Sequence, residues 1–132
     1  MTAETITAIE EKFSGPHDCG PKSLLLIAPE LDPEKVWRAF SLSSENWPYG
    51  GVTNREFSIA IRLLAGEGDF SRENEYRSED ESLADLLSRK PARCVALLNG
   101  HFIAVLDGGI VGWGWPIKSY EETEVVCSWT FS

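Results

Sequence analysis

The feature that most constrains the fold is a change in hydrophobic periodicity near Arg93, about two thirds of the way along the 132 residues. Before this point, apolar residues recur three and four positions apart, which is typical of amphipathic helices. After it, apolar and β-branched residues form short runs that end at glycine, asparagine or aspartate, which is typical of strands. This order predicts an α+β fold in which N-terminal helices pack on a C-terminal antiparallel sheet.

Local signals predict where the helices begin and end. The first helix covers residues 2–13 and ends at Ser14-Gly15-Pro16. The second begins at Cys19, with Asp18 as a possible N-cap, and its leucine-rich sequence is apolar nearly all round, so it should be buried centrally. Further helix starts are predicted at Asp32-Pro33 and at the capping boxes Thr53–Glu56 and Ser78–Glu81.

The strands are predicted from short apolar runs between turn residues. Asp107-Gly108-Gly109 separates two such runs and predicts a hairpin. If Gly108 and Gly109 are the turn residues, cross-strand partners sum to 217 and His101 faces Pro116. The predicted strands are Cys94–Leu98, His101–Leu106, Ile110–Trp113 and Glu124–Phe131, with one short strand within 69–77.

Length and charge limit the classes of partner. The 132 residues suit a single domain, 1–132. The 12 basic and 21 acidic side chains give a formal net charge of −9, which argues against nucleic acid or an anionic membrane as a partner. No apolar run approaches the ~20 residues of a membrane span, and the N-terminus lacks the pattern of a signal peptide.

Three cysteines and two histidines are the candidates for chemistry. Three cysteines cannot all pair, so a reducing compartment, the cytoplasm, is expected. Cys19 is predicted at a helix N-terminus, where the helix dipole stabilises a thiolate and backbone amides are free to bind an oxyanion. Cys94 and Cys127 lie in apolar strands and are interpreted as packing residues. His101 opens a strand in a distant segment, which is a common place for the base of a cysteine nucleophile.

Four motifs in order resemble those of the papain-like cysteine peptidases that process bacteriocin leader peptides. They are Asp18-Cys19-Gly20-Pro21, Gly51-Val52-Thr53 with its helix, Ser82–Leu87 before Pro91, and Asn99-Gly100-His101-Phe102-Ile103. The resemblance covers roughly residues 13–118. It implies a papain-like fold, Cys19 as nucleophile, His101 as base, a peptide or protein substrate, and no cofactor. Such a small acidic chain would fit a bacterial or phage accessory protein.

The sequence departs from this family at two positions. The family usually has a glutamine six residues before the cysteine to complete the oxyanion hole, and this chain has Phe13. Ser14 and His17 are the nearest polar substitutes, with Asp18 as a possible support for the loop. The family also has an Asp or Asn before a proline to orient the histidine, whereas Trp115 precedes Pro116 here.

Three functions therefore stay open from the sequence. The first is a cysteine peptidase or amide hydrolase that uses a Cys19–His101 dyad. The second is a catalytically inactive member of the same fold that binds a peptide or protein in the former substrate cleft. The third is an unrelated acidic α+β protein that sequesters a basic partner.

Four aromatic residues and one group of potential metal ligands are further candidates for a site. Trp47 and Tyr49 in a loop, with Trp113 and Trp115 after the hairpin, could form an aromatic wall of a peptide cleft, although ordinary core or rim packing is the favoured explanation. No metal site is predicted, because His17, Asp18 and Cys19 are too close in sequence to converge and no second cluster exists.

Overall fold

The computed structural model describes residues 3–65, 74–77, 81–111 and 123–131. The helices are α1 (Ala3–Lys12), α2 (Cys19–Ile27), α3 (Pro33–Ser43), α4 (Asn54–Leu64) and α5 (Leu83–Ser88). The strands are β1 (Asn74–Arg77), β2 (Glu81–Ser82), β3 (Arg93–Leu98), β4 (His101–Leu106), β5 (Gly109–Val111), β6 (Glu124–Val125) and β7 (Cys127–Phe131). The predicted α+β class is confirmed.

The described strands pair antiparallel, and their order in the sheet differs from their order in the sequence. Five strands run in the order β1-β7-β3-β4-β5, and β2 and β6 form a separate pair. The segment predicted as one strand, Glu124–Phe131, is split at Val126, because β6 pairs with β2 whereas β7 lies between β1 and β3. The Val126 amide still donates to the Leu97 carbonyl at 2.8 Å, so the point where the chain changes sheets is fixed.

Two apolar clusters cover the two faces of the five-stranded sheet. Because successive side chains of a strand point to opposite faces, Val95 joins one cluster while Cys94 and Ala96 join the other. The larger cluster packs α1–α4 against β3, β4 and β7, and the smaller packs Leu83 and Leu86 of α5 against the opposite face. The sheet is therefore a central layer, and the buried helix α2 lies against β4 within the larger cluster.

Side-chain caps explain where three helices begin. Asp32 accepts a hydrogen bond from the Glu34 amide, which confirms the predicted start of α3. The capping box of α4 is also confirmed, since Thr53 and Glu56 each accept a hydrogen bond from the other's backbone amide at 3.1 and 3.0 Å. The predicted capping box Ser78–Glu81 is wrong as the start of α5, because Glu81 lies in β2 and Ser82 is the cap that accepts from the Asp85 amide.

The hairpin between β4 and β5 has a register different from the predicted one. Asp107 and Gly108, with φ of 50° and 79°, are the turn residues, and two positive φ values suit the right-handed twist of the strands. The partners Ala104 and Val111 therefore sum to 215 instead of 217. The predicted register is therefore wrong by two positions in the described part of the hairpin, and Pro116, the predicted partner of His101, lies outside the described residues.

Candidate functional site

The loop before α2 is held by the Asp18 carboxylate. Asp18 is 5% exposed and occupies the N-cap position, yet its side chain does not cap the helix. Instead, its two oxygens accept hydrogen bonds from the Gly15 amide at 2.9 Å and from the Trp47 indole at 3.0 Å. The predicted capping role is wrong, and the weaker alternative, that Asp18 fixes the loop leading to Cys19, is what the contacts show.

Trp47 is a core residue, because its indole packs on Trp37 and Phe40 with ring centroids 4.6 and 6.1 Å away. It is 4% exposed and does not line the cavity described below, whereas Tyr49 is 92% exposed and does not line it either. Neither of these two predicted cleft aromatics is among the described residues that line this cavity. Trp113 and Trp115 lie outside the described residues.

His101 is positioned by the hairpin of β3 and β4. Asn99 and Gly100 form a two-residue turn in which Gly100 has a φ of 75°, a conformation that favours glycine. The turn pairs Leu98 with His101, so the histidine is the first residue of β4. Its side chain is only 4% exposed, because β4 packs against α2.

A cavity of about 510 Å³ brings the two candidate reactive residues together. It is lined by Pro16, His17 and Cys19, by Gly51 and Val52, by residues 97–102, and by Val126. Cys19 and His101 therefore lie on the same side of the molecule, and His17 joins them. Ser14 is exposed and does not line the cavity. The Asp18 carboxylate does not line it either, because both of its oxygens accept hydrogen bonds from Gly15 and Trp47.

The pKa of the Cys19 thiol is raised, mainly because burial disfavours the thiolate. Backbone N–H groups of Phe102, Gly20 and Cys19 itself lower this pKa, and the Asp18 carboxylate raises it further. The amides at the start of α2 do stabilise the thiolate as predicted, but desolvation outweighs them, so the net pKa is raised instead of lowered. Burial also raises the pKa of Cys94, to about 12, which fits its interpretation as a packing residue.

The pKa of His101 is lowered to about 4, first because burial disfavours the imidazolium and second because of the charge of Lys22. Lys22 lies one helical turn after Cys19, is 7% exposed, and forms an ion pair with Glu10 of α1 at 3.6 Å. The imidazole is therefore neutral at pH 7. A neutral thiol and a neutral imidazole therefore line the same cavity.

Sequence reasoning missed two contributors to the site. Lys22 is visible in the sequence as the single charged residue of the Cys19–Ile27 segment, and its charge lowers the pKa of His101. Val126 gave no signal, because its place on the cavity wall results from the switch between sheets, which depends on pairing distant in sequence.

Comparisons with known proteins add no assignment. A scan against protein-family models, a search of curated proteins and a search of solved structures found no match to this chain. Within the described ranges, no group of three or more metal-ligating side chains is close enough to hold an ion. None of the helices in the described part of the chain has the length and apolar character that crossing a bilayer requires.

Proposed function

We propose that this chain has a papain-like fold and is a cysteine hydrolase that cleaves amide bonds of peptides through Cys19 and His101. The observation that carries the proposal is the shared cavity: the thiol at the N-terminus of a buried helix and the imidazole at the start of β4 both line it. The order of the motifs along the sequence supports the same assignment. The cavity walls formed by Val52, Leu97 and Val126 give an apolar surface for a substrate side chain.

The proposed reaction starts from neutral partners. His101 takes the thiol proton as the Cys19 sulfur bonds to the substrate carbonyl carbon, and the proton passes to the nitrogen of the leaving amine as the C–N bond breaks. Water then attacks the thioester with His101 as base, releasing the carboxylic acid and restoring the thiol. The amides at the start of α2 would bind the oxyanion.

The oxyanion hole would be less complete than in the family that the sequence resembles. Phe13, at the position of the family's glutamine, is 1% exposed and packs on Trp37 with ring centroids 5.6 Å apart, so it contributes no donor. Losing one such donor costs on the order of 10² to 10³ in turnover. We therefore expect slow turnover, so cleavage should become detectable only after incubation for several hours.

The test is cleavage of a peptide library read by mass spectrometry, with trapping of the thioester on Cys19. Wild-type protein should generate new peptide ends, and Cys19→Ala and His101→Gln should each remove this activity. Ser41→Ala is the matched control, because Ser41 is an exposed residue of α3 that does not line the cavity. Cleavage that persists in Cys19→Ala, or no cleavage by wild-type protein at high concentration, would refute the proposal.

A second candidate function is peptide binding without turnover. The raised pKa of the Cys19 thiol and the buried Phe13 favour it, because both reduce catalysis and leave the cavity intact. Its signature is equal peptide affinity of wild-type protein and Cys19→Ala, together with no cleavage after prolonged incubation. The third possibility, a sequestering protein unrelated to this site, predicts binding that does not change when the cavity is altered.

A further inference from the structure

A second cavity, of about 450 Å³, adjoins the one that contains Cys19 and His101. It is lined by Asn99, Thr123, Glu124 and Val126, and it shares Asn99 and Val126 with the first cavity. The two cavities are therefore adjacent, and together they outline a groove from the N-terminus of α2 past the β3–β4 turn to β6.

Backbone hydrogen bonds fix both ends of the 123–126 segment, which lines the far half of the groove. The Val126 amide donates to Leu97 of β3 at 2.8 Å, and the Thr123 carbonyl accepts from the Leu83 amide at the start of α5 at 2.7 Å. Between these points, β6 pairs with β2. Val126 is 40% exposed at the junction, so its side chain is accessible from the groove.

The two halves of the groove differ in chemistry. The half near Cys19 has apolar walls, whereas the far half carries the exposed carboxylate of Glu124. Glu124 has no ion pair within the described ranges, in contrast to Glu81 on the paired strand, which binds Arg89. Among the residues that the structure describes, no lysine or arginine lines either cavity, and the formal net charge of the chain is −9.

We infer that the groove binds a peptide whose apolar side chain lies beside Cys19 and whose lysine or arginine side chain lies beside Glu124. The inference deepens the proposed function by naming a substrate class and rests on it for the catalytic end of the groove. An exposed ion pair of this kind contributes a two- to fivefold gain in affinity, about the range measured for surface pairs. The field of an acidic protein also favours the approach of a basic peptide.

The test uses the Cys19→Ala protein, so that binding is measured without turnover. The probes are fluorescein-labelled octapeptides with one leucine and one arginine at scanned positions, each paired with a peptide that has neutral citrulline in place of the arginine. Fluorescence anisotropy at low and high salt gives the affinities. At one arginine–leucine spacing, the arginine peptide should bind about two- to fivefold more tightly, with a smaller preference at high salt.

Two further variants test whether the preference for arginine over citrulline depends on the Glu124 carboxylate. Glu124→Gln should abolish the difference between arginine and citrulline, whereas Glu11→Gln should retain it, because Glu11 is an exposed residue of α1 outside the groove. The inference is overturned if no spacing shows a preference, or if the two variants reduce it equally. Preferential binding of arginine with no cleavage by wild-type protein would refute the hydrolase alone.

Discussion

At the scale of single residues, burial controls the reactivity of the candidate site. A thiol at a helix N-terminus is often acidic, because amides and the helix dipole stabilise its thiolate. In this chain the same thiol is largely desolvated, and the Asp18 carboxylate is its neighbour in sequence, so its pKa is raised. The sequence showed the helix start correctly, but it could not show how deeply the sulfur would be buried.

Alkylation of Cys19 tests this balance. The rate of reaction with iodoacetamide should rise with pH and reach its midpoint above that of the same cysteine in the urea-denatured chain, because only the thiolate reacts. Peptide mass mapping separates Cys19 from Cys94 and Cys127, which are buried and should react more slowly in the native protein. A midpoint below that of the denatured chain would show a resting thiolate–imidazolium pair and contradict the neutral pair described here.

At the scale of secondary-structure elements, local signals predicted helix starts better than strand pairing. The caps of α3 and α4 depend on residues within a few positions, and both predictions are confirmed. The single strand predicted over Glu124–Phe131 is wrong because β6 and β7 pair with different strands. The predicted hairpin register is wrong because Asp107 and Gly108, not Gly108 and Gly109, form the turn. Within the site, the sequence correctly predicted α2 starting at Cys19 and β4 starting at His101, but it could not predict the contacts of Trp47.

The contact between Asp18 and Trp47 joins the loop before α2 to the loop after α3, and it can be tested directly. Asp18→Asn should reduce the free energy of unfolding by about 1 to 3 kcal/mol, because an amide replaces one of two buried acceptors and leaves a donor without its partner. Urea denaturation followed by tryptophan fluorescence gives the value.

A double-mutant cycle shows whether the loss comes from this contact. In a Trp47→Phe background the indole donor is absent, so Asp18→Asn should cost less than in the wild-type chain, by an amount that measures the coupling of the two side chains. Asp32→Asn at the start of α3 is the control, since this cap is exposed and an asparagine oxygen can replace it. Equal costs of Asp18→Asn in both backgrounds would show that the hydrogen bond is not a source of stability.

At the scale of the whole molecule, the two-sided burial of the sheet connects the candidate site to stability. His101 is one of few polar residues in the interior, and the packing of β4 against α2 keeps its imidazole neutral. Its pKa falls from an ordinary value of 6.5 to about 4 in the folded chain. The unfolded chain therefore binds a proton more readily than the folded chain between these pH values, so folding loses stability as pH falls through this range.

Denaturation at two pH values measures this loss. The contribution of His101 to stability is fully present above about pH 6.5 and decreases toward pH 4. Between pH 7 and pH 5, the free energy of unfolding should therefore fall by about 1 to 2 kcal/mol more in the wild-type chain than in His101→Gln. Glu56 contributes little to the change between pH 7 and pH 5. Burial raises the pKa of its carboxyl, but hydrogen bonds from the Thr53 and Glu45 amides lower it more, so the net pKa lies below 4.5. The stability that Glu56 contributes is therefore lost only at lower pH.

A direct NMR titration of the His101 ring in the wild-type chain gives the same pKa without any substitution. This measurement keeps the prediction testable even if His101→Gln folds poorly, since the ring resonance should change position near pH 4. A midpoint near 6.5, or an equal loss of stability in both chains, would mean that the imidazole is solvated in the folded protein. The neutral starting state proposed for the hydrolase would then be wrong as well, because a solvated imidazole beside a thiol would be partly charged at pH 6 to 7.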